Sequence, residues 1–154
     1  MPNKTYQQVR EILTDICRVY ETAARCCARA ADTPNERLRL LADFLRSGEQ
    51  RLRNYVESAA DSGQADILDT WVQFVPTGGV EKALRALQAS SDQKSAETTV
   101  QKCLELQAEI VALLRHLSET MQVPEVSELI QRLAEREERA VHQWGVTAAM
   151  KQDM

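Results

Sequence analysis

Aromatic residues make up only 5% of this 154-residue chain, and it has just five glycines and four prolines. That is too few turn formers for the many tight reversals of a β-sandwich or barrel. No apolar run approaches the roughly 18 residues needed to span a bilayer as a helix, so no membrane insertion is expected. The opening MPNKTYQQVREIL lacks the charged-then-apolar layout of a secretory signal, which points to a cytoplasmic protein. Basic blocks are also missing. Residues 35–59 hold five arginines (37, 39, 46, 51, 53) against four acids (36, 43, 49, 57), and the chain carries −4 overall with a pI near 5.3. Binding a phosphate backbone needs a concentrated positive field, so nucleic acid is not an expected partner. The four cysteines (17, 26, 27, 103) form no C-x-x-C pair. Cys26 and Cys27 point about 100° apart on a helix, poorly placed to share one ion. Reduced thiols packed as small hydrophobes are expected.

What the chain has in abundance is helical periodicity. Val9, Leu13, Ile16, Tyr20, Ala24, Cys27 and Ala31 recur three or four apart, predicting an amphipathic helix over 4–32 that starts at Asn3 or at a Thr5-x-x-Gln8 capping box. Thr33-Pro34-Asn35-Glu36 combines a cap, a first-turn proline and a box-closing acid, and opens a second helix over 34–62. Its apolar seam is Leu38, Leu41, Leu45, Gly48, Leu52, Tyr55 and Ala59. Gly48 costs that seam roughly 1 kcal/mol relative to Ala, which close approach of another group would justify. Gly63 supplies a helix stop. Further helices are expected over 80–89, 95–121 and 124–145, with a polar break near Ser90–Ser95, Pro124 opening the last and Gly145 ending it. All of residues 1–154 fit one helical domain.

Sixteen residues, QADILDTWVQFVPTGG (64–79), separate the second helix from the third. Simple bundle turns need about 2–8. Extended, sixteen residues reach roughly 53 Å, more than the roughly 42 Å length of a 28-residue helix. The segment is therefore expected to run lengthwise over the bundle, leaving the second and third long helices pointing the same way.

A weak internal repeat supports two related hairpins. A shift of 88 residues lays LADFLRSGEQRLRNYV (41–56) on LIQRLAEREERAVHQW (129–144), matching Leu45 with Leu133, Glu49 with Glu137 and Arg51 with Arg139. Each copy places a glutamate on an apolar stripe. Two hairpins, a long crossover and a central helix glutamate resemble the ferritin-like superfamily, especially its rubrerythrin and bacterioferritin branches. That resemblance implies an all-α, up-down-down-up four-helix bundle with a short extra helix in the crossover. It also implies a di-iron or di-manganese centre held by two Glu-x-x-His motifs and two further glutamates. Glu49 and Glu137 match the motif glutamates, while Leu52 and Ala140 stand at the histidine positions. Glu21 and Glu109, related by the same shift, are the candidates for the other two.

Each candidate has a plainer reading. Glu21–Arg25 and Glu49–Arg53 are i,i+4 pairs in the favourable order and read as structural ion pairs. Glu138–His142 reads as a surface pair near a helix C-terminus. Gly78-Gly79 reads as a helix start with N–H groups suited to an anion. Trp71 and Phe74 on the connector either cap the bundle end or form a contact surface. The expected function is that of a non-catalytic ferritin-like bundle, without cofactor, acting as a homodimer or on a protein partner. The rival is a variant carboxylate-bridged iron or manganese protein for redox work or storage.

Overall fold

The computed structural model describes residues 4–30, 35–61, 65–93 and 95–152, with side chains placed for all of these except 4, 5, 60, 74 and 146–152. In chain order the elements are β1 (Lys4–Gln8), α1 (Val9–Arg29), α2 (Glu36–Asp61), α3 (Ala65–Leu68), β2 (Trp71–Val75), α4 (Gly78–Asp92), α5 (Ala96–Thr120) and α6 (Pro124–Gln152). Among the described residues the protein is all-α apart from one two-stranded ribbon. Among the described residues no helix is long and apolar enough to cross a membrane.

The ribbon corrects the expected start of the first helix. β1 pairs antiparallel with β2, Tyr6 opposite Gln73 and Gln8 opposite Trp71. Aromatic and β-branched residues suit a pleated, half-buried strand, and a partner strand supplies hydrogen bonds that outweigh a local capping box. Only at Val9, whose N–H meets the Thr70 carbonyl at 3.0 Å, does the chain turn helical. The proposed Asn3 and Thr5 caps, the Thr33-Pro34 start and the Gly63 stop involve groups outside those described. Asn35 performs the capping of α2: its Oδ1 accepts the Leu38 N–H at 3.0 Å.

The connector does not run lengthwise. Residues 65–75 stay beside the start of α1, held by the ribbon and by Arg10–Asp69 at 3.2 Å. It is α4 that makes the traverse. Val80 lies with Ile12 and Ile16 near one end, while the Ser91 hydroxyl donates to the Cys26 carbonyl at 2.9 Å near the other. α4 therefore runs parallel to α1, and α5 returns beside both. α4 thus takes the place of the extended strap expected after the second helix. At 15 residues α4 is longer than the 80–89 segment expected, ending at Asp92, and α5 begins at Ala96.

Two hairpins, α1–α2 and α5–α6, enclose a core that includes Leu13, Leu41, Leu45, Leu106, Ile110 and Leu114, each about 1% exposed or less. Ser118 and Ser127 clamp the α5–α6 turn by donating to each other's carbonyls at 3.1 and 2.6 Å. Gly145 does not end the last helix. α6 continues to Gln152, and a Cβ at Gly145 would touch nothing within 4 Å.

Candidate functional site

Four helices each contribute one polar side chain to the middle of the bundle: Tyr20 from α1, Arg51 from α2, Gln107 from α5 and Glu137 from α6. Tyr20, Gln107 and Glu137 are at most 1% exposed. A carboxylate so buried needs a donor or a cation. Glu137 has both on one oxygen: Oε2 accepts the Tyr20 hydroxyl at 2.8 Å and Arg51 Nη2 at 3.2 Å. Tyr20 Oη in turn accepts Gln107 Nε2 at 2.8 Å. The chain of bonds thus runs from amide to phenol to carboxylate, closed by a guanidinium that reaches in from the bundle edge.

Two acceptors are left over. Glu137 Oε1 and Gln107 Oε1 are buried without a hydrogen-bond partner among the described residues. Gly48 explains how the phenol fits. A Cβ there would stand 3.3 Å from Tyr20 Cζ, so the bare helix backbone makes room for the ring. This is the close approach expected from a glycine on the seam.

The buried phenol and two of the buried thiols nearby are held neutral. Burial, and then the charge of Glu137, raise the Tyr20 phenol well above its ordinary value, so its proton stays on Oη. Burial pushes the Cys17 thiol up to about 11, with Arg53 opposing. The Cys103 thiol is raised by its hydrogen bond with Cys27 and then by burial. All four cysteines are free and buried, and none of these three groups is an activated nucleophile. The pH dependence follows. Above the ordinary thiol value of 9.0 the unfolded chain loses protons that the folded protein keeps, so stability is present below that pH and lost as pH rises toward the folded value. Urea titrations should show constant unfolding free energy near pH 8 and a loss of roughly 2 kcal/mol by about pH 11 from Cys17, a loss reduced in Cys17→Ala.

The four candidate metal ligands are not brought together. Glu137 is buried in the network. Glu49 takes Arg53 at 2.8 Å, and Arg53 reaches on to the exposed Glu21 at 3.9 Å, which also holds Arg25 at 3.6 Å. Both i,i+4 pairs therefore form. Glu109 is exposed, and its carboxylate fills the space that a Cβ on Gly79 would need, so the N-terminus of α4 has an acid of this chain against it. At the two histidine positions Leu52 is buried and Ala140 half-buried, while His116 and His142 are exposed. Glu138 pairs with Arg115 on α5 and not with His142, because α5 presents a guanidinium directly across the groove. Among the described residues no group of three or more His, Cys, Asp or Glu side chains is disposed to hold a metal ion. The residues present do not fit a di-iron or di-manganese centre.

Tyr20, Arg51 and Gln107 were not singled out from sequence as site residues. Gln107 carried the one readable signal, an uncharged polar residue on the stripe of Cys103, Leu106 and Ile110.

Gln107 also links the network to the surface. It lies in an open trough of about 1120 Å³ between the outer faces of α5 and α6, where Leu104, Val111 and Val141 sit among charged side chains. On the ribbon at the bundle end, Tyr6 and Trp71 are each 61% exposed on the same face, so Trp71 does not cap the core. The side chain of Phe74 is outside those described. Compared with known proteins, the chain matches no family model, no curated protein and no solved structure.

Proposed function

We propose that this is a non-catalytic helical-bundle protein, related in layout to ferritin-like proteins, that acts by binding a second protein or a second copy of itself. The observation that carries this reading is the satisfied charge of Glu137. Among the described residues the only deeply buried carboxylate at the bundle middle is already held by Arg51 and Tyr20. A guanidinium where a second ligand or ion would stand repels a divalent cation. The unactivated thiols and neutral phenol point away from covalent chemistry, and the trough and the Tyr6–Trp71 face offer contact surfaces. The layout argument rests on two hairpins whose helix starts, Glu36 and Pro124, differ by the same 88 residues as the sequence repeat.

One observation favours the rival reading of a carboxylate-bridged metal protein: the free Oε1 of Glu137. Metal analysis separates the two. Purified protein, equilibrated anaerobically with Fe(II) or Mn(II) and then desalted, is expected to retain far less than one metal per chain. Near-stoichiometric metal, lost in both Glu49→Ala and Glu137→Ala, would falsify the binding-protein reading.

A further inference from the structure

The outer face of the β1–β2 ribbon carries two large aromatic side chains in the open. Tyr6 and Trp71 are each 61% exposed and occupy one diagonal of that face, with Gln8 and Gln73 on the other. The inner face is anchored. Val72 is buried in the core, and Gln7, buried as well, donates its amide to Asp15 at 2.6 Å. Arg10–Asp69 and the bond from the Val9 N–H to the Thr70 carbonyl tie the end of the ribbon to α1. The rings therefore stand on a held backbone. Diagonal positions on paired strands lie roughly 7–8 Å apart, about twice the 3.5–4.0 Å of a van der Waals contact. Among the described residues the ring pair in contact is Phe44 with Trp144, so Tyr6 and Trp71 do not stack on each other. The spacing leaves a slot about one flat ring wide.

We infer that this face binds a proline-rich segment of a partner protein in the polyproline II conformation, with one prolyl ring lodged between Tyr6 and Trp71. The inference deepens the binding-protein reading and rests on it. Area selects the occupant first. At 61% exposure, and at most roughly 250 Å² per aromatic side chain, the two rings offer about 300 Å². A stable interface between folded proteins buries about 800 Å² on each partner, so the face is too small to hold a second copy of this chain. A polyproline helix is already ordered before it binds and needs less contact to offset its lost freedom. Charge selects next. None of the four side chains on the face is charged, which matches an uncharged ligand and gives phosphates and acidic peptides no cation. Polarity selects last. Trp71, Tyr6 and Gln73 bring donors, whereas Gln8 already gives its amide to the Asp69 carbonyl at 3.3 Å. Proline has no N–H and presents only its carbonyl, an acceptor that those donors satisfy.

The test is titration of the full chain with acetylated, amidated decaproline, read by calorimetry and by the indole N–H resonances of the two tryptophans. The Trp71 resonance is expected to shift, and that of the buried Trp144 to stay. Tyr6→Ala and Trp71→Ala should each weaken binding about tenfold or more, while His142→Glu in the trough should leave it unchanged. Circular dichroism checks each fold. The two aromatic variants lie on separate strands, so either one serves if the other fails to fold, and the wild-type resonances need no variant at all. A glycine–serine peptide of the same length should not bind, because it brings no ring and must be ordered. Decaproline that does not bind overturns the inference, as does binding that neither aromatic variant weakens. So does a control peptide, or cellohexaose, that binds as tightly. Sedimentation of wild type over a range of concentrations adds one more outcome. A dimer abolished by Trp71→Ala would show a second copy on this face and overturn the peptide site. Metal analysis of the same sample keeps the readings apart. Metal-free protein that ignores decaproline sinks this site alone, and stoichiometrically loaded protein sinks the reading beneath it.

Discussion

Arg51→Ala is expected to lower the unfolding free energy by roughly 3 kcal/mol, the low end of the cost of leaving a buried charge unpaired. The low end applies because the Arg51 side chain is 26% exposed, so water shares in screening it, while Glu137 at 1% has no such relief. Tyr20 would remain as the sole donor to a buried carboxylate. The second half of the prediction carries the mechanism. Adding Glu137→Leu to Arg51→Met should restore most of the loss, since an apolar pair of similar volume avoids desolvating either charge. Urea midpoints for the two single variants and the double form a thermodynamic cycle. A coupling energy near zero would mean that the guanidinium and carboxylate do not depend on each other, contrary to the 3.2 Å contact.

Gly48→Leu should cost about 3 kcal/mol by overpacking. The would-be Cβ already stands 3.3 Å from Tyr20 Cζ. The ring is fully buried, and its hydroxyl is tied at 2.8 Å to both Glu137 and Gln107, so it cannot swing away without breaking those bonds. Gly145→Ala provides the contrast. It should gain up to about 1 kcal/mol, because helix propensity improves and nothing lies in the way. Thermal denaturation of the two variants in parallel checks both signs. Equal behaviour at Gly48 and Gly145 would show that Tyr20 does not need the space.

Much of the helical layout was legible from local pattern. The seam from Leu38 to Ala59 lies within α2, Pro124 opens α6, and the polar break falls inside Ser90–Ser95. Glu137 was visible as an acid on an apolar stripe. Residues 4–8 were misread as helix because Thr5-x-x-Gln8 imitates a capping box, while the strand that claims them lies more than 60 residues away. The buried network was invisible for a related reason. Tyr20 and Glu137 are 117 positions apart, Arg51 and Glu137 are 86 apart, and no one-dimensional spacing distinguishes a guanidinium that reaches inward from one that faces water.

The amino-acid order alone determined the helical class and where the long helices run, apart from the start of the first and the end of the last. Those features depend on contacts between positions three or four apart and on side chains that cap their own backbone. Only the tertiary structure decided that α4 makes the lengthwise traverse, that a ribbon ties the connector to the chain start, and that Arg51 and Tyr20 satisfy Glu137. Each of those outcomes depends on which distant groups meet inside the fold, where an unpaired charge is costly.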